Sequence, residues 1–414
     1  MATARAIDGR FDLDAIYTAW SAGTFKEYTS TRYSMSSYSG SSLGLELTGK
    51  NFLYDTYGNL QSYSAAYNPT SGAPTSLYAY TLTRDLAGRI VGKSETIGGV
   101  TDSYVYTFDI AGRLTAVTKN GSAYSSYVYD GNGNRTSGVT AGTAFTATYD
   151  AQDRLVTFNT RAYSYNANGD LYQINWGPVT GTSTFVYDAI GNLTQVTGAG
   201  GNVYSFFYDG RNRRVNKLQD AVFKYRYIYQ DDYKIAATIV SGVVQRDFVF
   251  GSSINTPDYS NSYVSNIGRY RFIKDHLGSV RLVVNTSTGA VIQRMDYNDL
   301  GDTTADSNAG FQPYGYGGGI WDPTLRILKF GARDYEPETG RWTSKDPILF
   351  AGGDTNLYGY TVNDPINYID PTGLTIADVV QALSFLNKYD PNFVSSYISF
   401  TANHDNYGSA APSP

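Results

Sequence analysis

Short stretches of alternating apolar and polar residues recur along most of the chain, and many of them run into a compact turn motif. Two examples are Ser-Tyr-Val-Tyr-Thr-Phe at 103–108 and Tyr-Ser-Ser-Tyr-Val-Tyr at 124–129. Alternation with a period of two is typical of a strand that buries one of its faces. The pattern therefore predicts many short antiparallel strands connected by tight turns.

The turn motif has seven positions: an aromatic residue, Asp or Asn, two variable residues, Gly or a substitute, one further residue, and an apolar or basic residue. Clear copies begin at Tyr54, Phe108, Tyr129 and Tyr187. Weaker copies begin at Arg84, Tyr149, Tyr165 and Tyr208. The Asp or Asn can accept hydrogen bonds from its own turn, and Gly readily adopts the positive φ that closes it. Each copy therefore predicts a hairpin tip whose aromatic residue packs on the sheet.

The sequence pattern changes along the chain, and these changes predict four regions. Residues 1–50 form a lead-in of unassigned role, and residues 51–264 form the repeat region, although its motifs fade after residue 215. Residues 265–374 form a non-repeating core domain rich in Gly, Asp, Pro and aromatic residues. Residues 375–414 form a short C-terminal segment.

The C-terminal segment contains the best helix candidate of the chain, at residues 376–389. Val379, Val380, Leu383 and Leu386 recur at helical spacing, and Asp-Pro at 390–391 is a helix stop signal. We therefore expect helix to be confined largely to this end of the chain.

The composition supports an all-β chain and narrows its chemistry. Of 414 residues, 39 are Tyr, which favours strands, and 43 are Gly, which favours turns. The chain has no Cys and only two His, so we predict no disulfide, no metal site and no cofactor. A net charge of −5 argues against a nucleic-acid partner. No stretch has the 18 or so apolar residues of a transmembrane helix, and no signal peptide is recognisable.

The motifs together resemble a known family. The turn motifs resemble the YD repeats of Rhs proteins, Tc toxin C subunits and teneurins. Lys-Asp-His-Leu-Gly-Ser-Val-Arg at 274–281 is similar to the Asp-His-Leu-Gly-Ser motif of the Rhs core. Residues 330–347 contain Arg-Asp-Tyr-Glu-Pro-Glu-Thr-Gly-Arg-Trp, which is similar to the core's Arg-x-Tyr-x-Pro-x-x-Gly-Arg-Phe/Trp stretch. Residues 356–360 and 363–374 resemble its terminal signature, so the resemblance covers about residues 50–374.

The resemblance implies an all-β fold in which a spiralling antiparallel YD-repeat sheet forms a partial or small β-cocoon. An Rhs core domain closes this shell, and a short helical C-terminal segment follows. The chain's own C-terminal segment is then the cargo, and a secretion-system or shell-completing protein is an implied partner. The resemblance also implies a secreted or cell-surface location, while the oligomeric state stays open.

In many members of this family the chain cuts itself after an Asp-Pro-x-Gly-Leu motif, which places the cut here between Leu374 and Thr375. Two carboxyl groups can hydrolyse a peptide bond when one activates water and the other protonates the carbonyl oxygen or the leaving amine. Asp346 and Asp370 match the family positions, and Arg341 matches a core arginine that holds the site. The implied enzyme is a single-turnover intramolecular aspartic autoprotease.

Each of these residues also has a purely structural interpretation. Asp-Pro pairs commonly begin turns, an arginine such as Arg341 packs well on aromatic rings, and His276 fits a turn or packing role. Two alternatives of a different class are therefore open: a non-cleaving structural or cell-surface scaffold, and a carbohydrate-binding surface protein whose Tyr rings stack on sugars. Cross-strand aromatic pairs are the simpler explanation for the abundance of Tyr.

Overall fold

The computed structural model describes residues 52–68, 73–251, 253 and 255–375. In this part of the chain, one sheet of twenty-four strands is followed by a small sheet of four. The strands of the large sheet are β1 Phe52–Tyr54, β2 Leu60–Tyr67, β3 Thr75–Arg84, β4 Ile90–Ile97, β5 Val100–Phe108, β6 Leu114–Lys119, β7 Ser122–Tyr129, β8 Arg135–Thr140, β9 Thr143–Tyr149, β10 Leu155–Phe158, β11 Arg161–Tyr165, β12 Leu171–Asn175, β13 Thr182–Tyr187, β14 Leu193–Thr197, β15 Val203–Tyr208, β16 Arg214–Gln219, β17 Val222–Tyr229, β18 Ile235–Val240, β19 Val243–Val249, β20 Tyr259–Ser262, β21 Gly268–Lys274, β22 Val280–Asn285, β23 Val291–Tyr297 and β24 Thr303–Asp306.

The small sheet and three short 3₁₀ turns follow. They are β25 Ile320–Asp322, β26 Ile327–Phe330, β27 Arg333–Glu336 and β28 Arg341–Trp342, with 3₁₀ turns at Tyr316–Gly318, Leu349–Gly352 and Thr361–Asn363. Within each sheet every strand pairs antiparallel with its neighbour in sequence, as in β1 with β2 and β23 with β24. The predicted all-β antiparallel fold is therefore confirmed. The predicted helix at 376–389 lies outside the described residues.

All eight predicted turns lie where the sequence places them. The incoming strand ends at the first position of the motif and the returning strand begins at the seventh, as at Tyr129 and Arg135. Asp130 Oδ1 accepts hydrogen bonds of 2.9 Å from the backbone nitrogens of Asn132 and Asn134. Gly133 closes this turn with a φ of 83°. The local roles predicted for Asp and Gly are therefore confirmed.

The same turn recurs three more times after residue 215, where the sequence motif fades. These turns lie at residues 229–235, 274–280 and 297–303. In the last two, Asp275 and Asn298 accept two backbone hydrogen bonds as Asp130 does. The Asp-His-Leu-Gly-Ser motif is thus itself a hairpin tip of the repeat. The sheet runs unbroken past residue 265, the predicted start of the core domain, to Asp306.

Tyrosine hydroxyls connect consecutive turns into a ladder. Tyr129 donates a hydrogen bond of 2.6 Å to the backbone carbonyl of Leu114, the seventh residue of an earlier turn. Four further pairs repeat this contact: Tyr149 with Arg135, Tyr208 with Leu193, Tyr229 with Arg214, and Tyr297 with Val280. The guanidinium of Arg113, at the sixth position of its turn, lies over the Tyr129 ring at 4.6 Å. The ladder gives the repeat a reason to use Tyr instead of Phe.

The ladder predicts a measurable role for a single hydroxyl group. Tyr129→Phe keeps the half-buried ring beneath Arg113 but removes the donor to the Leu114 carbonyl. We expect a loss of about 1 kcal/mol in the free energy of unfolding, the ordinary contribution of one hydrogen bond. Chemical denaturation of the two chains measures it. Tyr57→Phe, an exposed tyrosine at a variable position of a turn, is the control and should leave stability unchanged.

The large sheet curls until its early and late strands face each other. Arg281 on β22 pairs with Glu95 on β4 at 3.1 Å. Asp299, in the turn between β23 and β24, accepts hydrogen bonds from Ser125 and Tyr127 on β7. In the described residues, the early and late strands therefore contact each other through side chains. The buried apolar side chains form two clusters, one mainly from the early strands and one mainly from the late strands and residues 307–375, so the curled sheet encloses packed side chains.

Residues 307–375, which we call the plug, seal the shell at the rim that carries the seven-residue turns. Tyr358 donates a hydrogen bond of 2.7 Å to the carbonyl of Gly169, and the backbone nitrogen of Leu171 donates one of 2.8 Å to the carbonyl of Thr343. Asp334 pairs with the shell residue Arg214 at 2.7 Å, and both side chains are buried. No helix in the described part of the chain has the length and apolar character needed to cross a membrane.

A half-buried carboxyl group of the plug, that of Glu336, predicts one contribution to the pH dependence of stability. Burial raises the pKa of Glu336 from 4.5 to about 7, while Thr339, Arg161 and Tyr163 oppose the shift and Glu338 adds to it. Because the folded value lies above the unfolded one, stability is lost as pH rises from about 4.5 to about 7, by about 1.4 kcal/mol per pH unit. Glu336→Gln should remove this loss. Thermal melts of both chains at pH 4.5 and 8 should show Gln stabilising only at pH 8.

Candidate functional site

The plug brings Asp346 and Asp370 together around one arginine. Asp346 follows β28, Asp370 lies four residues before Leu374, and Arg333 begins β27. Arg333 Nη2 lies 2.9 Å from Asp346 Oδ2 and 3.3 Å from Asp370 Oδ2, and all three side chains are buried. Its Nε also donates a 2.6 Å hydrogen bond to the carbonyl of Gly373. Arg333 therefore fixes both carboxylates and the turn that precedes Leu374.

Asp370 contacts the nitrogen side of the peptide bond between Leu374 and Thr375. Its Oδ1 lies 3.2 Å from the Leu374 nitrogen and 3.3 Å from the Thr375 nitrogen, and it accepts a 2.9 Å hydrogen bond from the Thr372 hydroxyl. The chain can bend this tightly because Gly373 has a φ of 65°, and a Cβ there would meet the Phe330 carbonyl at 2.4 Å. The turn after Asp370 thus brings the peptide bond between Leu374 and Thr375 next to the Asp370 carboxylate.

Asp346 borders the carbonyl side of the same peptide bond. A Cβ placed on Gly352 would lie 2.6 Å from Asp346 Oδ2 and 2.8 Å from the carbonyl oxygen of Leu374. These two oxygens therefore face one small space, which the missing side chain of Gly352 leaves open. This space belongs to a small cavity, and Trp342 and Asp354 are also among its lining residues.

The two carboxyl groups differ in their hydrogen-bond partners. Burial raises the pKa of Asp346 and that of Asp370, and the guanidinium of Arg333 opposes both shifts. Asp370 accepts three hydrogen bonds from the turn that follows it, which stabilises its ionised form. Asp346 Oδ1 accepts one, from the Ile348 nitrogen. Asp370 thus accepts more hydrogen bonds, whereas Asp346 has the shorter contact with the Arg333 guanidinium, 2.9 Å against 3.3 Å.

Arg341, which the family resemblance predicts at this site, lies instead at the contact between plug and shell. It donates hydrogen bonds to Asn134 Oδ1 at 3.0 Å and to the carbonyl of Asp153, and its guanidinium lies over the Tyr149 ring at 4.8 Å. The arginine between the carboxylates is Arg333. The sequence did carry a signal for it, because Arg333 is the first residue of the Arg-x-Tyr stretch.

His276 has the packing role that the sequence favoured. Its Nε2 lies 3.0 Å from the carbonyl oxygen of Ile366, and its ring packs against Tyr80. Burial lowers its pKa to about 4, so the ring is neutral at physiological pH. In the described part of the chain, no three acidic or His side chains converge in a way that would hold a metal ion.

A long antiparallel sheet whose hairpin tips repeat one turn, sealed by a plug at that rim, defines a YD-repeat shell protein. The chain belongs to the teneurin YD-shell family, whose model matches residues 37–366.

The chain is also similar to individual proteins. Teneurin-3 of Danio rerio is 29% identical over 328 residues, which cover 73% of this chain and 11% of that protein. The tRNA3(Ser)-specific nuclease WapA of Bacillus spizizenii is 28% identical over 283 residues, covering 65% of this chain and 12% of that protein. A crystal structure of TcdB2-TccC3 matches with a TM-score of 0.37 and 18% identity, covering 78% of this chain and 24% of that one. The chain thus spans about one tenth of the length of these curated relatives.

Proposed function

We propose that this YD-repeat shell presents its own C-terminal segment and cuts itself once, between Leu374 and Thr375. The observation that supports the proposal is the placement of the two carboxyl groups on opposite sides of one peptide bond. Asp370 contacts the Thr375 nitrogen at 3.3 Å, and Asp346 faces the same space as the Leu374 carbonyl oxygen. A carboxyl pair on either side of an amide has the groups that hydrolysis needs.

The reaction follows from these positions. Protonated Asp346 transfers its proton to the Leu374 carbonyl oxygen while ionised Asp370 takes a proton from the water molecule that attacks the carbonyl carbon, which gives a gem-diol. Asp370 then delivers its proton to the Thr375 nitrogen as the C–N bond breaks, and Asp346 recovers a proton from one gem-diol hydroxyl, which becomes the carbonyl of the new carboxylic acid. Arg333 holds both side chains in register throughout. One water is consumed, and each carboxyl group ends in the state in which it began.

The pH dependence of the cut tests this division of roles. A pair that works as one acid and one base gives a bell-shaped rate profile, because the rate falls when both are protonated and when both are ionised. We expect such a profile when uncut chain, isolated in denaturant, is refolded across pH 3 to 9, within the folded range, and the cut fraction is followed on gels. A rate that rises continuously with pH would show hydroxide-driven cleavage without the acid.

The non-cleaving scaffold is the second candidate, and one observation favours it. Arg333 pairs with both carboxylates inside a buried hydrogen-bonded network, which is a complete structural arrangement even without a reaction. In that case the plug only seals the shell, and Asp370 only caps the last turn. Under either function we propose a secreted or cell-surface protein that works with a shell-completing partner, as the resemblance of its motifs to the YD-repeat proteins implies.

The carbohydrate-binding alternative gains no specific support from the site. The inward rings pack on one another, as Tyr225 does on Tyr227 with ring centroids 4.3 Å apart. Rings engaged in this way are not presented to a sugar.

A further inference from the structure

A short loop beside the candidate cleavage site exposes three apolar residues in a row. Ile348, Leu349 and Phe350 are 38%, 47% and 67% exposed, and we call them the apolar loop. A run of consecutive exposed apolar residues is uncommon on a protein surface unless another segment or molecule packs against it. The loop therefore has the character of a contact surface.

The backbone of the apolar loop is tied to the site. Leu349 has a φ of 54°, in the left-handed region that Leu rarely adopts. The Ile348 nitrogen donates to Asp346 Oδ1 at 2.9 Å, and the Leu349 nitrogen donates to the Asp346 carbonyl at 3.0 Å. Gly352, two residues after the apolar loop, borders both Asp346 and the Leu374 carbonyl. The exposed apolar side chains of the loop therefore lie directly beside the candidate cleavage site.

The chain beyond the site supplies an occupant of matching chemistry. The Thr375 nitrogen is held on Asp370, so residue 376 begins within one residue's length, about 3.6 Å, of the site. From there to Tyr389 the sequence places apolar residues at helical spacing: Ile376, Val379, Val380, Leu383 and Leu386. A helix with this pattern carries one continuous apolar stripe.

We propose that residues 376–389 dock their apolar stripe on the apolar loop. This inference deepens the proposed function, because docking would hold the Thr375 amide against Asp370. Only this effect on cleavage rests on the proposed function. The contact itself requires no cleavage. After a cut, the same contact holds the released segment on the plug through apolar burial.

Photo-crosslinking in the full chain tests the contact without relying on the reaction. Phe350 is replaced by p-benzoylphenylalanine in the Asp370→Asn chain, and separately in the Asp346→Asn chain in case one of them fails to fold. The expected result is an intramolecular crosslink that peptide mapping places within 376–389. Ile190 is 68% exposed, nearly the same as Phe350, and lies in a shell turn, so the same probe there is the matched control and should not capture this segment. Crosslinks from position 350 to another chain, to another region, or to nothing would overturn the proposal.

A second experiment separates this inference from the proposed function. If wild-type protein is cut, gel filtration should elute the released segment with the shell, and Phe350→Ser should shift it to the position of a free peptide. A free segment already in the wild type would overturn docking while leaving cleavage intact. If no cut occurs, crosslinking alone decides, and a crosslink to 376–389 would support docking although the proposed cleavage had failed.

Discussion

Asp370→Asn and Asp346→Asn are each expected to stop cleavage at Leu374 and leave a full-length chain. Removal of a general acid or base typically slows a reaction by about 10²–10⁴-fold. A side-chain amide at position 370 would still accept hydrogen bonds from the turn but could not take a proton from water. An amide at position 346 would still border the Leu374 carbonyl but could not protonate it. The cut fraction on gels after refolding measures the effect.

Asp354 offers a matched control for these substitutions. It lines the same cavity, and burial raises its pKa too, but its Oδ1 caps the Asn356 nitrogen at 2.9 Å and not the cleavage bond. Asp354→Asn should therefore cut at the wild-type rate. If the three variants lose cleavage equally while remaining folded, the cavity matters as a whole and the assigned roles of Asp346 and Asp370 are wrong.

Arg333→Met is expected to be the most destabilising single change at the site. It leaves two buried carboxylates facing each other without their shared cation, and loss of one partner of a buried ion pair typically costs about 3–5 kcal/mol. The variant should lose more stability at pH 7 than at pH 5, because the orphaned carboxyls then have raised pKa values and must stay protonated in the folded chain. Denaturant titration at both pH values measures the difference.

Arg341→Met tests whether Arg341 and Arg333 have different roles. Arg341 contacts Asn134, Asp153 and the Tyr149 ring on the shell side, so its loss should weaken the seal between plug and shell with nearly the same cost at pH 5 and pH 7. Chain that still folds should still cut. A stronger pH dependence for Arg341→Met than for Arg333→Met would reverse the assignment and return Arg341 to the site.

The shell could be predicted from the sequence because its turns are local. An Asp that caps its own turn and a Gly that closes it lie within four residues of each other, so Tyr54, Phe108, Tyr129 and the other copies mark hairpin tips directly. In two of the later copies the side chains depart from the motif. Lys274 replaces the aromatic residue at the start of its turn, and Gln230 replaces Asp after Tyr229, yet the backbone hydrogen bonds from position two to position six persist.

The site was predictable only in part because it is assembled over long separations. The turn from Asp370 to Leu374 is local, and its tight return follows from Gly373. The pairing of Asp346 with Asp370 depends on Arg333, which is 13 and 37 residues away, and no periodicity connects them. Arg341 and Arg333 occur in the same motif, and only the fold shows that one faces the shell and the other the carboxylates.

The intact mass of purified full-length protein tests the central claim most directly. Folded wild-type protein should contain a fragment ending at Leu374 and a second fragment of the 40 residues from 375 to 414, which is 40/414 of 45.3 kDa, about 4 kDa. Asp370→Asn should give one species at the full mass. A single uncut mass for folded wild type and variant alike would contradict self-cleavage and favour the scaffold.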